Sequence, residues 1–247
     1  MQYGNLTGKV AIVTGGGGSI GGAICTVLAE AGATVIAADV RAEFAQKKVD
    51  EITAAGLSAF PQVVDTCDKS SVESMISNTI EKFGKIDIFV ACAGILDNSR
   101  FPDITPERWD RLIDINLRGT FFCLQSIAPH MMERKSGKIV TVSSQAGQLG
   151  GFLAGANYTA SKGGIIAMSK AFARQCAPYN VNVNDVAPGL IATDMTADRN
   201  DSPASVPLAR LGTSLDVAKA VYFLCSDLAD YICGHTVDVN GGMLMRS

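Results

Sequence analysis

Histidine is almost missing from this 247-residue chain: there are two, His130 and His235, and neither has a Cys, His or Asp partner at ligand spacing. A zinc site is therefore not expected, and no metal is assigned. Any proton chemistry near neutral pH needs a carrier other than imidazole. The seven cysteines are odd in number and scattered, with no C-x-x-C. They read as reduced, mostly buried thiols and not as disulfides. Neither sign of charge dominates: the net charge is −3 and the pI about 5.4, which offers no field for nucleic acid or an anionic membrane. No apolar run approaches the roughly 18 residues of a membrane span. The opening MQYGNLTGK lacks a charged stretch followed by an apolar one, so no signal peptide is expected. The expectation is a soluble cytoplasmic protein with no nucleic-acid or membrane partner. There is no repeat, linker or low-complexity segment, and 47% hydrophobic residues suffice for one core, so a single domain over 1–247 is expected.

What is present is an alternation. Apolar, β-branched runs at 9–14, 33–40, 59–65, 86–93, 138–144, 180–187 and 235–240 read as strands. Helix-period segments lie between them at 18–32, 42–55, 69–83, 106–134, 157–176 and 214–229. Short continuous apolar strands separated by helices imply a parallel sheet covered on both faces. The fold class is therefore α/β, a doubly wound Rossmann-type sheet of about seven strands. Ligands of such sheets bind at the carboxyl ends of the strands. The unusual residues fall there: Gly15–Gly22, Asp39, Asp65 and Thr66, Ala93 and Gly94, Ser143 and Ser144, Pro188 and Gly189.

TGGGGSIGG, 14–22, follows a strand and opens a helix. Amides at a helix N-terminus bind phosphate, and glycines let a dinucleotide approach. Gly15, Gly17, Gly18, Ser19, Ile20 and Gly21 are the candidate pyrophosphate contacts. Asp39 ends the second strand and can accept hydrogen bonds from both ribose hydroxyls of NAD, while repelling the 2′-phosphate of NADP. Arg41 is nearby, but no Lys or Arg lies inside the glycine run. NAD is favoured over NADP.

Tyr158 stands four residues before Lys162 on a helix, so the two share a face. A free tyrosine titrates near pH 10; a neighbouring cation favours its phenolate, giving an acid/base without histidine. Ser144 ends a strand fourteen residues earlier and can bond a substrate oxygen. Asn116 sits inside a helix, where its propensity is poor.

TGGGGSIG, ACAG, Ile115-Asn116, Ser143-Ser144, YTASK and PGLIATDM, in this order, resemble the short-chain dehydrogenase/reductase family over essentially the whole chain. The closing run SDLADYICGHTVDVNGGMLM is similar to 3-oxoacyl-thioester reductases of that family. The resemblance implies Tyr158 as acid/base, Lys162 as its helper and ribose ligand, Ser144 as the group orienting the substrate oxygen, and Asn116 as holder of a water. It implies Asp65 at adenine, and Ile191 and Thr193 at the nicotinamide carboxamide. Ser19 stands where the family has glycine, and Ala91-Cys92 where it has two asparagines. The Ser144–Tyr158 interval is one residue longer than usual, which leaves Ser143 open as an alternative to Ser144.

The expected activity is NAD-dependent interconversion of a secondary alcohol and its ketone. The alternative is a 3-oxoacyl-thioester reductase, for which Arg134 and Arg174 resemble carrier-docking positions. A short lid is expected near 190–211, with 195–207 at its centre. Ser144, Gln145, Phe152, Leu153, Tyr158 and Met195 are the candidate substrate contacts, with Leu149 and Gln148 beside them. A homotetramer is expected, paired through the helix that carries Tyr158.

Overall fold

The strands form where β-branched residues can be buried on both sides at once. The computed structural model describes residues 3–151, 154–197 and 201–246. Seven strands make one parallel sheet: β1 (Val10–Thr14), β2 (Thr34–Asp39), β3 (Ala59–Val63), β4 (Ile88–Ala91), β5 (Gly137–Val142), β6 (Val181–Pro188) and, after a two-strand ladder, β9 (Thr236–Val239). Their order is β3-β2-β1-β4-β5-β6-β9. The ladder, β7 (Ile191–Ala192) with β8 (Gly212–Thr213), was not visible in the apolar pattern; two-residue strands carry no periodicity.

Alternate residues of each strand face opposite layers. Ala11, Val13, Val35, Ala37, Val90 and Val140 pack with Ile24 and Leu28 of α1 (Ser19–Glu30), Val49 and Ile52 of α2 (Ala42–Ala54) and Val217, Val221 and Leu224 of α8 (Ser214–Cys225). Ile12, Ile36, Phe89, Ile139 and Val183 pack with Val72 and Met75 of α3 (Lys69–Phe83) and Leu124, Ile127 and Met131 of α5 (Gly119–Arg134), and the same core takes in Ala173 and Cys176 of α7 (Ala156–Cys176).

The segment expected as one helix over 106–134 is three pieces: α4 (Pro106–Ile113), a π-helical turn at Asp114–Arg118, and α5. A short helix, α6 (Ala146–Leu149), follows β5. The helix expected to reach residue 229 ends at Cys225, where the Ser226 side chain instead caps a single turn at Asp227–Ala229. The strand order reverses between β1 and β4, so their carboxyl ends open a crevice. No helix among the described residues is long and apolar enough to cross a membrane, and none of their His, Cys, Asp and Glu side chains group as a metal site.

Candidate active site

A cavity of about 1240 Å³ occupies that crevice. Gly15, Gly18, Ser19, Ile20, Gly21, Asp39, Asp65, Thr66, Ala93 and Gly94 line one part of it. Ser144, Gln145, Tyr158, Lys162, Pro188, Gly189, Ile191, Thr193 and Met195 also line it. Of the expected site residues, Gly17 and Asn116 stand behind this wall, and Phe152 and Leu153 lie outside the described residues.

The glycine turn is shaped by close approach. Gly15 has φ +68°, and a Cβ on Gly21 would lie 2.0 Å from the Gly15 carbonyl oxygen. A Cβ on Gly17 would collide with Phe44 at 2.6 Å. No side chain caps the N-terminus of α1, so its first amides face the cavity as an anion site. Asp39, at the end of β2, accepts from the Gly17 amide (3.2 Å) and the Arg41 amide (3.1 Å). Its carboxylate thus joins the glycine turn to the second strand. This arrangement of glycines, open amides and a carboxylate fits a dinucleotide.

Asn116 sits in the π-turn and is fully buried. Its Oδ1 accepts from the Ile95 amide (2.8 Å), and its Nδ2 donates to the Ile95 carbonyl (2.9 Å) and to Ser161 Oγ (3.2 Å). The side-chain amide is spent on bracing the loop after β4. The π-turn answers why asparagine is tolerated mid-helix: the extra residue in the turn re-aims one side chain at that loop.

Ser143 and Ser144 point to different places. The Ser143 hydroxyl is turned into the core and donates to Asp185 Oδ2 (2.5 Å). Ser144 Oγ accepts from the Ala146 amide (3.1 Å) and remains half-buried on the cavity wall. Lys162 is 6% exposed. Its Nζ donates to the Val142 carbonyl (2.9 Å) and lies 5.7 Å from the centre of the Tyr158 ring. The N-terminus of α7 is held by Asp97, which accepts from Asn157 Nδ2 (2.9 Å) and pairs with Arg108 (3.1 Å). Sequence reasoning passed over Asp97 and Asp185, because an aspartate in a loop or strand carries no motif.

Residues 9–204 match the model of the short chain dehydrogenase family. The chain belongs to the short-chain dehydrogenase family. It is 40% identical to the 3-oxoacyl-[acyl-carrier-protein] reductase FabG of Staphylococcus aureus over 96% of this chain and 98% of that one. It is 36% identical to the protein of the same name from Thermotoga maritima, over 97% and 99%. Among solved structures, levodione reductase aligns with a TM-score of 0.91 at 30% identity over 96% of this chain and 98% of that one. A structure described as a putative gluconate dehydrogenase from Agrobacterium tumefaciens aligns with a TM-score of 0.95 at 29% identity, covering both chains fully.

This short-chain dehydrogenase departs from the family pattern where the sequence indicated, and the structure gives two of the departures, Ser19 and Ala91-Cys92, a place. Ser19 turns its hydroxyl away from the glycine turn to Asp194 Oδ2 (2.7 Å), and the Asp194 amide returns a bond to Ser19 Oγ (3.3 Å). The turn is thereby tied to the segment after β7. At Ala91-Cys92, Thr14 Oγ1 braces the strand end by accepting from the Cys92 and Ala93 amides (3.2 and 3.3 Å). Burial pushes the Cys92 thiol up to about 11, which makes it a poor nucleophile.

Other side chains are already engaged. The Gln148 amide donates to Asp238 (2.9 Å) and does not line the cavity. Arg134 donates to the Ile86 carbonyl (2.9 Å) and pairs with Asp87 (3.2 Å), so it is not a free docking cation. Arg174 is exposed on α7. His130 accepts from the Ile86 amide (3.2 Å), a structural bond between two residues that do not line the cavity.

Proposed function

We propose that this dehydrogenase interconverts a secondary alcohol and its ketone with NAD(H), with Tyr158 as general acid/base. The observation that carries the reading is the meeting of Ser144, Tyr158 and Lys162 on one wall of the cavity that also holds the uncapped glycine turn. The bound nicotinamide supplies the hydride donor or acceptor. Tyr158 takes the hydroxyl proton in oxidation and returns it to the nascent alkoxide in reduction. Lys162 stands beside it, its Nζ 5.7 Å from the ring centre, and is assigned to the nicotinamide ribose. Ser144 bonds the same substrate oxygen and stabilises charge developing on it. Asn116 serves from behind by holding the loop after β4. Gly15–Gly21 and Asp39 hold the dinucleotide, with Asp65 and Thr66 toward its adenine and Ile191 and Thr193 toward its carboxamide.

Asp39 supports NAD: a buried carboxylate tied to two amides cannot swing aside for a 2′-phosphate. For the substrate, the curated relatives favour a ketone β to a thioester over the free alcohol expected from the sequence. Arg174 is the basic residue left for docking an acidic carrier. Leu149 and Met195, both about half exposed on the cavity wall, supply apolar contact for an acyl chain.

The test is NADH oxidation with acetoacetyl-CoA against a panel of free ketones, with NADPH in parallel. Preference for the thioester supports the substrate reading; turnover of free ketones alone returns it to the free alcohol. Tyr158→Phe should lower turnover by about 10²–10⁴-fold, the span of a lost general acid, while NADH binding by fluorescence titration is retained. Substantial activity in that variant overturns the role given to Tyr158.

A further inference from the structure

Asp185 is a fully buried carboxylate that the chemistry above does not use. It lies in β6, one layer beneath the cavity floor. Thr141 Oγ1 donates to its Oδ1 (2.6 Å) and Ser143 Oγ to its Oδ2 (2.5 Å). With the Thr141 proton given to Asp185, the Ser169 hydroxyl is the donor available to Thr141 Oγ1 (2.8 Å); the Ile165 carbonyl of its own helix, also 2.8 Å away, competes for that one proton. The cluster therefore runs from β6 through β5 into α7, the helix that carries Tyr158 and Lys162. Between Thr141 and Ser143 lies Val142, whose carbonyl receives Lys162 Nζ (2.9 Å). Ser144 follows directly. Ser144 and the Val142 carbonyl that holds Lys162 thus adjoin residues bonded to this carboxylate, and Tyr158 stands on the same helix as Lys162 and Ser169.

We propose that Asp185 is a positioning residue for the reaction: it fixes α7 against the ends of β5 and β6 and so sets Ser144, Tyr158 and Lys162 relative to one another. The inference rests on the assignment of these three residues to the reaction. Neutral hydroxyls alone do not require a charge at the centre, because a buried carboxylate costs free energy unless its bonds serve it. The facing groups are few. β5 offers Thr141 and Ser143, β9 offers Thr236, and α7 offers Ser169 and the cation Lys162. His235 gives only its main-chain carbonyl to the Asp185 amide (2.9 Å) and is itself exposed. Burial pushes the carboxyl up to about 6. On protonation it becomes a donor among donors, and the Ser143 hydroxyl must turn to the Val186 carbonyl, 3.3 Å away.

The experiment is the pH dependence of kcat for acetoacetyl-CoA reduction with NADH in wild type and Asp185→Asn. In this direction Tyr158 must carry its proton, so acid does not deplete it. Wild-type kcat should still fall on acidification through about pH 6, where Asp185 takes up its proton. Asp185→Asn should lose that limb and show kcat reduced by about 10-fold, of the size expected for a small misplacement, with the NADH dissociation constant within about twofold. A wild-type profile flat to pH 5, or an unchanged limb in Asp185→Asn, overturns the proposal. If Asp185→Asn does not fold, Thr141→Val and Ser143→Ala each cut one branch and should separate kcat from NADH binding in the same way; wild-type kcat in both overturns it. If no carbonyl is turned over, the activity reading fails by itself. Hydrogen exchange then decides the positioning role: amides 157–166 should exchange about 10-fold faster in Asp185→Asn, and equal rates overturn it.

Discussion

The NAD preference proposed above rests on a single carboxylate beside the glycine turn. Asp39 is 7% exposed, and both its oxygens are anchored by main-chain amides. A 2′-phosphate brought beside it would meet a like charge that has nowhere to move. Replacing Asp39 with Ser keeps a short acceptor and removes the charge. The expected outcome is a rise of about 10–100-fold in kcat/KM with NADP⁺, worth about 1.4–2.8 kcal/mol, and a fall with NAD⁺. Initial rates with both cofactors check it, and an unchanged preference would mean that Arg41, which stacks over Phe44 at 3.4 Å, sets the choice. Asp39 was legible in the sequence because its signal is local: a charge at a strand end a fixed distance past a glycine turn. Asp185 was not, because its meaning depends on hydroxyls brought together from three separate segments, Thr141 and Ser143 from one, Thr236 and Ser169 from the others.

At the scale of elements, the strands and the doubly wound order could be read from hydrophobic runs, since burial on both faces leaves an unbroken apolar pattern. The Tyr158 helix could be read from the i,i+4 pair. The π-turn at Asp114–Arg118 could not. One residue inserted in a helix shifts the apolar period too little to show over a single turn, and only the misplaced asparagine hinted at it. That turn carries a testable load. Asn116→Ala leaves the Ile95 amide and carbonyl unpaired in a partly buried loop, at about 1–3 kcal/mol for each buried group left unsatisfied. Its urea midpoint should fall accordingly, and kcat should fall with it because Gly94 and Ile95 line the cavity. Wild-type stability in this variant would show that the loop finds other partners. The Ser19–Asp194 tie joins two elements far apart in sequence, and the chain pattern alone registered it only as a missing glycine.

Across the whole molecule, two buried aspartates respond to pH in opposite senses. Asp87 lies just before β4, at the end of the sheet away from the cavity. Burial works against its charge, but Lys85, the Val10 amide and Arg134 outweigh it and hold the carboxyl below its usual range. A depressed folded value contributes stability that is present above the unfolded value of about 3.9 and lost as pH falls below it. Asp185, beneath the cavity, is raised from 3.8 to about 6. Between those two values the folded chain keeps a proton that the unfolded chain releases. Stability is therefore lost as pH rises through this window, and above pH 6 the full penalty stands. Two units correspond to about 3 kcal/mol at most. Asp185→Asn removes the penalty and requires only that the Ser143 hydroxyl turn to Val186. The variant should be more stable than wild type at pH 7.5, by about 1–3 kcal/mol in urea unfolding, and the gain should vanish near pH 4. Lower stability at pH 7.5 would mean that the hydroxyl bonds to the carboxylate outweigh its burial. The expected pairing, a more stable protein that turns over more slowly, is what a charge retained for positioning predicts.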